Sequence, residues 1–148
     1  MKISCAIFLV IFTISFSSLA ACLNADKVNL RGKPDDKGEI YWRAEKNTPL
    51  HVLTTKDEWV YVKDFEDEST WVKQEFLDQD KHFCGIVKDQ FTNLRDAPSK
   101  KAKLIKNTPQ AERYTVFKIL GFKNDWVKVK TSNNQTAWIN KKNLWIQK

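Results

Sequence analysis

The sequence is poor in the residues that punctuate chains and in those that react. Its 148 residues include four glycines, four prolines, three cysteines, two histidines and one methionine. Isolated glycines cannot build a phosphate-cradling loop, which needs several backbone positions free of side chains close together. Glycine and proline this scarce also exclude collagen-like and low-complexity chains. The few histidines and cysteines lie far apart in sequence and cannot supply the three or four ligands of a zinc site. His51 falls in a strand-like segment and His82 in a polar connection, and neither is accompanied by the nucleophile and orienting acid of a catalytic triad. His82 and Cys84 share one face of an extended segment with no third partner. The residue types therefore point to no enzyme, no metal and no cofactor.

Long apolar runs are equally scarce. Ile7 to Phe16 is the one candidate, and at about 10 residues it falls short of the roughly 20 that cross a bilayer. Lys2 precedes it and the small residues Ser17, Ser18, Ala20 and Ala21 follow, which is the layout of a secretory signal peptide over residues 1–21. The expected location is outside the cytoplasm, periplasmic or secreted. Cys5 leaves with the leader, so Cys22 and Cys84 remain. Two readings stand for Cys22. An even cysteine count in an oxidising compartment invites a Cys22–Cys84 disulfide. Leu19-Ala20-Ala21-Cys22 also resembles a lipobox, in which Cys22 carries a lipid and the protein is a membrane-anchored lipoprotein.

What the chain has in quantity is aromatic residues and charge. Six Trp, nine Phe and three Tyr supply core-forming surface, and the net charge is +7. That sum hides an acidic half and a basic half. Residues 22–80 hold 9 basic and 14 acidic residues, net −5, while residues 81–148 hold 15 basic and 4 acidic, net +11. The two halves also repeat one pattern. Asn29-Leu30-Arg31 returns as Asn93-Leu94-Arg95, and Pro34 as Pro98, at an offset of 64. Leu53, Trp59-Val60, Val62-Lys63, Trp71 and Leu77 return at an offset of 67, as Leu120, Trp126-Val127, Val129-Lys130, Trp138 and Leu144. One three-residue insertion between Lys106 and Tyr114 reconciles the offsets.

Each copy reads as five short β-branched and aromatic strands separated by Asp-, Asn-, Lys- and Pro-bearing turns. The expected strands of the first copy are 28–31, 39–42, 50–53, 59–63 and 70–72. Those of the second are 91–95, 102–105, 114–120, 126–130 and 136–139. No apolar period of 3.6 is sustained, so the class is all-β, with two tandem small barrels over 22–80 and 81–148.

The order Val28-Asn29-Leu30-Arg31, Pro34, Pro49-Leu50-His51-Val52-Leu53, Asp57-Glu58-Trp59-Val60, Trp71-Val72 and Leu77 resembles the bacterial SH3 (SH3b) domain family, and the exported tandem proteins of proteobacteria in particular. One departure is Arg95-Asp96-Ala97-Pro98, which lacks the glycine of Arg31-Gly32-Lys33-Pro34. The resemblance implies a non-catalytic binding or scaffolding module of the cell envelope, with peptidoglycan glycan or peptide, or an envelope protein, as partner. A wall hydrolase, which such domains often accompany, has no room beside two copies. The alternative is an anion-binding module that uses the basic second barrel on acidic lipid or nucleic acid, the latter disfavoured by export.

The aromatic strands offer the candidate ligand surface. Alternation puts Trp59 and Tyr61 opposite Val60 and Val62, with Trp42 and Phe65 as further lining. In the second copy Trp126, Lys128 and Lys130 share the corresponding face. A structural role for the same tryptophans competes with this reading. The repeat anchors are Asn29, Leu30, Arg31, Trp71, Asn93, Leu94, Arg95 and Trp138, with the two arginines expected to form ion pairs. Asp64-Phe65-Glu66-Asp67-Glu68 reads as a solvated acidic turn, and attraction between acidic and basic barrels is expected.

Overall fold

The fold is given by a computed structural model that describes residues 19–78 and 83–147; His82 lies outside them. The first barrel contains β1 (Leu19–Leu23), β2 (Val28–Arg31), β3 (Ile40–Ala44), β4 (Pro49–Lys56), β5 (Trp59–Lys63), β6 (Ser69–Lys73) and β7 (Leu77–Asp78). The second contains β8 (Phe83–Val87), β9 (Phe91–Asn93), β10 (Gln110–Glu112), β11 (Val116–Lys123), β12 (Trp126–Lys130), β13 (Thr136–Asn140) and β14 (Leu144–Gln147). A single 3-10 turn precedes each closing strand, Gln74–Phe76 before β7 and Lys141–Asn143 before β14. All strand pairs are antiparallel. The first sheet runs β3-β2-β6-β5-β4-β1-β7, and the second β13-β12-β11-β8-β14, with β10-β9 as a separate ribbon.

Each barrel closes on its own core. Leu23, Leu30, Leu50, Val60, Val62 and Val72 are buried in the first. Their counterparts at the repeat offsets, Val87, Leu94, Phe117, Val127, Val129 and Ile139, are buried in the second. Every one of these side chains adds roughly 2 kcal/mol of burial free energy. A strand register shift falls at Val52/Thr54 in one copy and at Ile119/Gly121 in the other, so Leu53 and Leu120 are bulged and point partly to solvent. Such a bulge bends a long hairpin enough to close a small barrel.

Besides adding the closing strands β7 and β14, which the expected sets omit, the structure corrects the expected strands in three places. First, β1 begins at Leu19, three residues before the expected barrel boundary at Cys22. Ala21 sits in the core and pairs with Leu50, so small residues read as the exit of a leader are placed in a strand. Second, β8 is the matching strand of the second copy, in a segment read as connection. Third, residues 102–105 form no strand. Arg95 makes an isolated bridge to Leu104, and pairing resumes only at β10, where Ala111 occupies the place of Ala44. The insertion explains it: three extra residues between Ile105 and Ala111 break the register and split the strand in two.

Cys22 and Cys84 are bridged, with their Cα atoms 6.0 Å apart. They lie on equivalent strands but two positions out of register, since Cys22 faces Pro49 and Ile86 faces the equivalent Val116. A sulfur engaged in a disulfide carries no lipid, which corrects the lipobox reading. Around the bridge β4 and β1 of the first barrel pack against β14 of the second.

Candidate functional site

The turn after the first repeated strand sets up the site. Gly32 N donates to Glu39 O, and Asp96 N to Lys103 O; Gly38 N donates to Asp35 O, and Ala102 N to Ser99 O. The second copy therefore builds the same turn without glycine. Arg31 and Arg95 lock it, each donating from Nη1 at 2.7 Å to a carbonyl seven residues on, Gly38 O and Ala102 O. These are backbone clamps rather than the expected ion pairs. Gly32 serves another purpose: a methyl group there would lie 2.6 Å from Tyr41 Cε2. Glycine makes room for the Tyr41 ring, which is 66% exposed.

Opposite Tyr41 lies the β5–β6 turn. Asp64 Oδ1 accepts from the backbone N–H of Glu66 at 2.9 Å and of Glu68 at 3.0 Å, so the carboxylate organises the tip. Burial raises the Asp64 carboxyl above the ordinary value, and the two backbone bonds oppose that shift. The tip is not a free acidic turn. Glu66 pairs with Arg113 of the second barrel at 2.6 Å and accepts from the Tyr114 hydroxyl at 3.2 Å. The Phe65 ring lies 5.7 Å from that of Tyr114 and 6.5 Å from that of Trp145, with the Arg113 guanidinium 5.4 Å above it. The Glu66 hydrogen bond holds the Arg113 pKa above its usual value. Among the described residues the expected acid–base attraction between barrels thus takes the form of one ion pair beside an aromatic contact.

Tyr114 is strained. Its φ of 72° is the left-handed conformation that Asn47, its counterpart at the offset of 67, adopts at 67°. Asparagine tolerates this region, whereas a bulky side chain there is an outlier costing on the order of 1 kcal/mol. At this position the Tyr114 ring meets Phe65 edge-on. The result is a cleft of about 530 Å³ between the barrels, walled by Tyr41, Trp42, Phe65 and Tyr114 and rimmed by Asp64, Glu66 and Glu68.

Of the expected surface, only Trp42 and Phe65 reach this cleft. Trp59 is buried beneath the Lys73 ammonium, 5.5 Å from its ring centroid. Tyr61 stacks on Trp71 at 4.8 Å. Lys128 lies 5.9 Å over Trp138, in the cross-strand place that Tyr61 and Trp71 occupy in the first copy. Trp126 is partly buried in a separate pocket, and Lys130 is exposed. The expected surface is therefore divided among several places. Tyr41, Arg113 and Tyr114 escaped the sequence reading, and the one signal for Tyr114 was a tyrosine aligned with a turn asparagine.

Two small antiparallel barrels, each with its own core and a clamped turn after the first repeated strand, make this a tandem SH3-like protein. A family model for a bacterial SH3 domain matches residues 24–79, and another of the same description matches residues 91–144. The chain belongs to the bacterial SH3 domain family, in two tandem copies. It is 24% identical over 139 residues to YrvJ of Bacillus subtilis (strain 168), named as a candidate N-acetylmuramoyl-L-alanine amidase. That match takes in 84% of this chain and 26% of the relative, so the chain spans about a quarter of the curated relative's length. Among solved structures, an NlpC/P60 family protein from Bacillus cereus ATCC 10987 aligns with a TM-score of 0.39 and 16% identity, covering 86% of this chain and 56% of that one. NlpC1 from Trichomonas vaginalis aligns with a TM-score of 0.36 and 13% identity, covering 86% and 45%.

Proposed function

We propose that the chain is an exported binding module of the bacterial envelope that takes a cell-wall peptide or glycan in the cleft between its barrels. The cleft carries the reading. Aromatic faces from both barrels converge on it, and stacking on such faces suits both sugar rings and extended peptide. Its carboxylate rim favours the amino groups of a wall peptide. The relative's name supports the same direction, because N-acetylmuramoyl-L-alanine is a component of the wall. Cleavage of the leader after Ala20 would keep Ala21, Cys22 and Leu23 in β1, and an oxidising compartment would maintain the bridge. Recognition rather than bond cleavage is the proposed activity, since two of the cleft carboxylates are engaged in turn-building and in the barrel–barrel ion pair.

Cosedimentation with purified peptidoglycan sacculi tests this. Wild type should pellet with the sacculi, Tyr41→Ala should pellet several-fold less, and the sacculi should remain intact. Protein that stays in the supernatant, or sacculi that dissolve, would overturn the proposal.

A further inference from the structure

A second pocket occurs twice, once in each barrel, balanced in charge in the first and cationic in the second. In the first barrel it is lined by Arg31, Asp36, Trp59, Lys73 and Glu75, together with Asp26 and Lys27. In the second, the positions at the repeat offsets are Arg95, Lys100, Trp126, Asn140 and Lys142. Asp36 has become Lys100 and Glu75 has become Lys142. The first pocket holds three cations and three carboxylates and is balanced. The second holds three cations and no carboxylate.

The first pocket is also closed from within. Lys73 pairs with Asp36 at 3.0 Å while covering Trp59, which is 5% exposed. In the second barrel the residue across from the tryptophan is Asn140, and Trp126 is more open. Lys100 and Lys142 make no ion pair among the described residues. The amides are committed in one direction: Asn93 Oδ1 accepts from Gln110 Nε2 at 3.0 Å, and Asn140 Oδ1 accepts from Lys142 N at 3.2 Å. Both asparagines line the pocket, and neither side-chain NH2 group donates a hydrogen bond among the described residues.

We infer that this pocket of the second barrel, about 190 Å³, binds an oxyanion, a carboxylate or a phosphate, with Lys100 and Lys142 as its cations and Asn93 and Asn140 as neutral donors. Three cations around a concavity raise the local concentration of anions, and the amide donors give the site hydrogen bonds that a lysine patch alone lacks. The Trp126 face suits an apolar group attached to the anion. The site is separate from the cleft and does not depend on the cleft's ligand.

NMR titration of the full chain with sodium phosphate and, separately, sodium acetate, at constant ionic strength, tests the inference. The Trp126 indole N–H and the Asn93 and Asn140 side-chain amides should shift saturably, and the Trp59 indole should not. Stronger saturation by phosphate would assign the site to phosphate-bearing ligands, and stronger saturation by acetate to peptide carboxylates. Lys100→Gln/Lys142→Gln should weaken binding at least about tenfold with core β11–β12 resonances unmoved, the expected loss for two charge-assisted contacts. Shifts that grow linearly without saturation, equal responses at Trp59 and Trp126, or undiminished binding by the folded double variant would overturn it.

Discussion

The two barrels are one frame carrying two kinds of surface. Arg31 and Arg95 reach equivalent carbonyls at the same 2.7 Å, and the six core side chains of one barrel have six buried counterparts in the other. Left-handed turn residues also coincide: Asn47 with Tyr114, Asp57 with Asn124, and Asp67 with Asn134. Against that constancy, positions 36 and 100, and 75 and 142, exchange carboxylate for ammonium. The positions that hold the barrel together stay apolar in both copies, whereas within the matching pockets Arg31/Arg95 and Trp59/Trp126 persist and positions 36/100, 73/140 and 75/142 change. Ligand preference can thus change on this frame at little cost to folding.

The two barrels differ most in how the disulfide constrains them. Cys22 and Cys84 enclose the first barrel in their 62-residue separation, whereas the second barrel lies almost entirely outside it. Closing a loop of that length restricts the unfolded chain by about 4 kcal/mol in the chain-entropy model. Cys22→Ser/Cys84→Ser should therefore destabilise the first barrel by up to about that amount and the second far less. Hydrogen exchange at β4–β5 and at β11–β12 reads the difference; equal loss in both would show that the barrels fold as one unit.

Transplanting the charges sharpens the same contrast. Asp36→Lys/Lys73→Asn/Glu75→Lys gives the first barrel the second's residues at these three positions and removes the lid over Trp59. The Trp59 indole should then respond to phosphate as Trp126 does. A silent Trp59 in the folded variant would mean that something besides these positions sets the second pocket's preference.

Tyr114→Asn restores the residue type that the first barrel uses at this turn. Relief of the left-handed strain should stabilise the second barrel by about 1 kcal/mol in thermal unfolding, offset in part by the lost Phe65 contact, while sacculus binding falls. Strain retained in exchange for cleft shape is the expected signature of a functional position.

The smallest effect is electrostatic. The raised pKa of Asp64 means that the native chain holds this proton more tightly than the unfolded chain, whose value is 3.8. Its contribution is complete below 3.8 and is lost as the pH rises through the folded value. Wild type measured against Asp64→Asn, whose amide oxygen can still accept both backbone bonds, should gain relative stability on acidification. Melting temperatures of the pair in acid and at neutrality give the sign; a constant difference would contradict it.

Much of the frame was legible because it is local and repeated. Valine alternation at 60/62 and 127/129 marks inward faces, and Leu30 and Leu94 announce themselves by the shared Asn-Leu-Arg. The strand β1 was hidden because the apolar and small residues at its start fit the pattern of a leader's exit as well as that of a strand. The split of the β3 equivalent follows from an insertion whose presence could be read but whose effect on pairing could not. The cleft was hidden for a different reason. It depends on how the turn at Asp64 meets Arg113 and Tyr114, a contact between residues almost fifty positions apart that no periodicity encodes.

A ligand site made by both barrels together depends on the Glu66–Arg113 pair and the Phe65–Tyr114 contact. Sacculus binding by Arg113→Glu and by the exchanged pair Glu66→Arg/Arg113→Glu tests it most directly. The single variant places two carboxylates face to face and should bind several-fold more weakly, and the exchange should recover most of the loss. If the single variant binds like wild type, the cleft between the barrels is not the site.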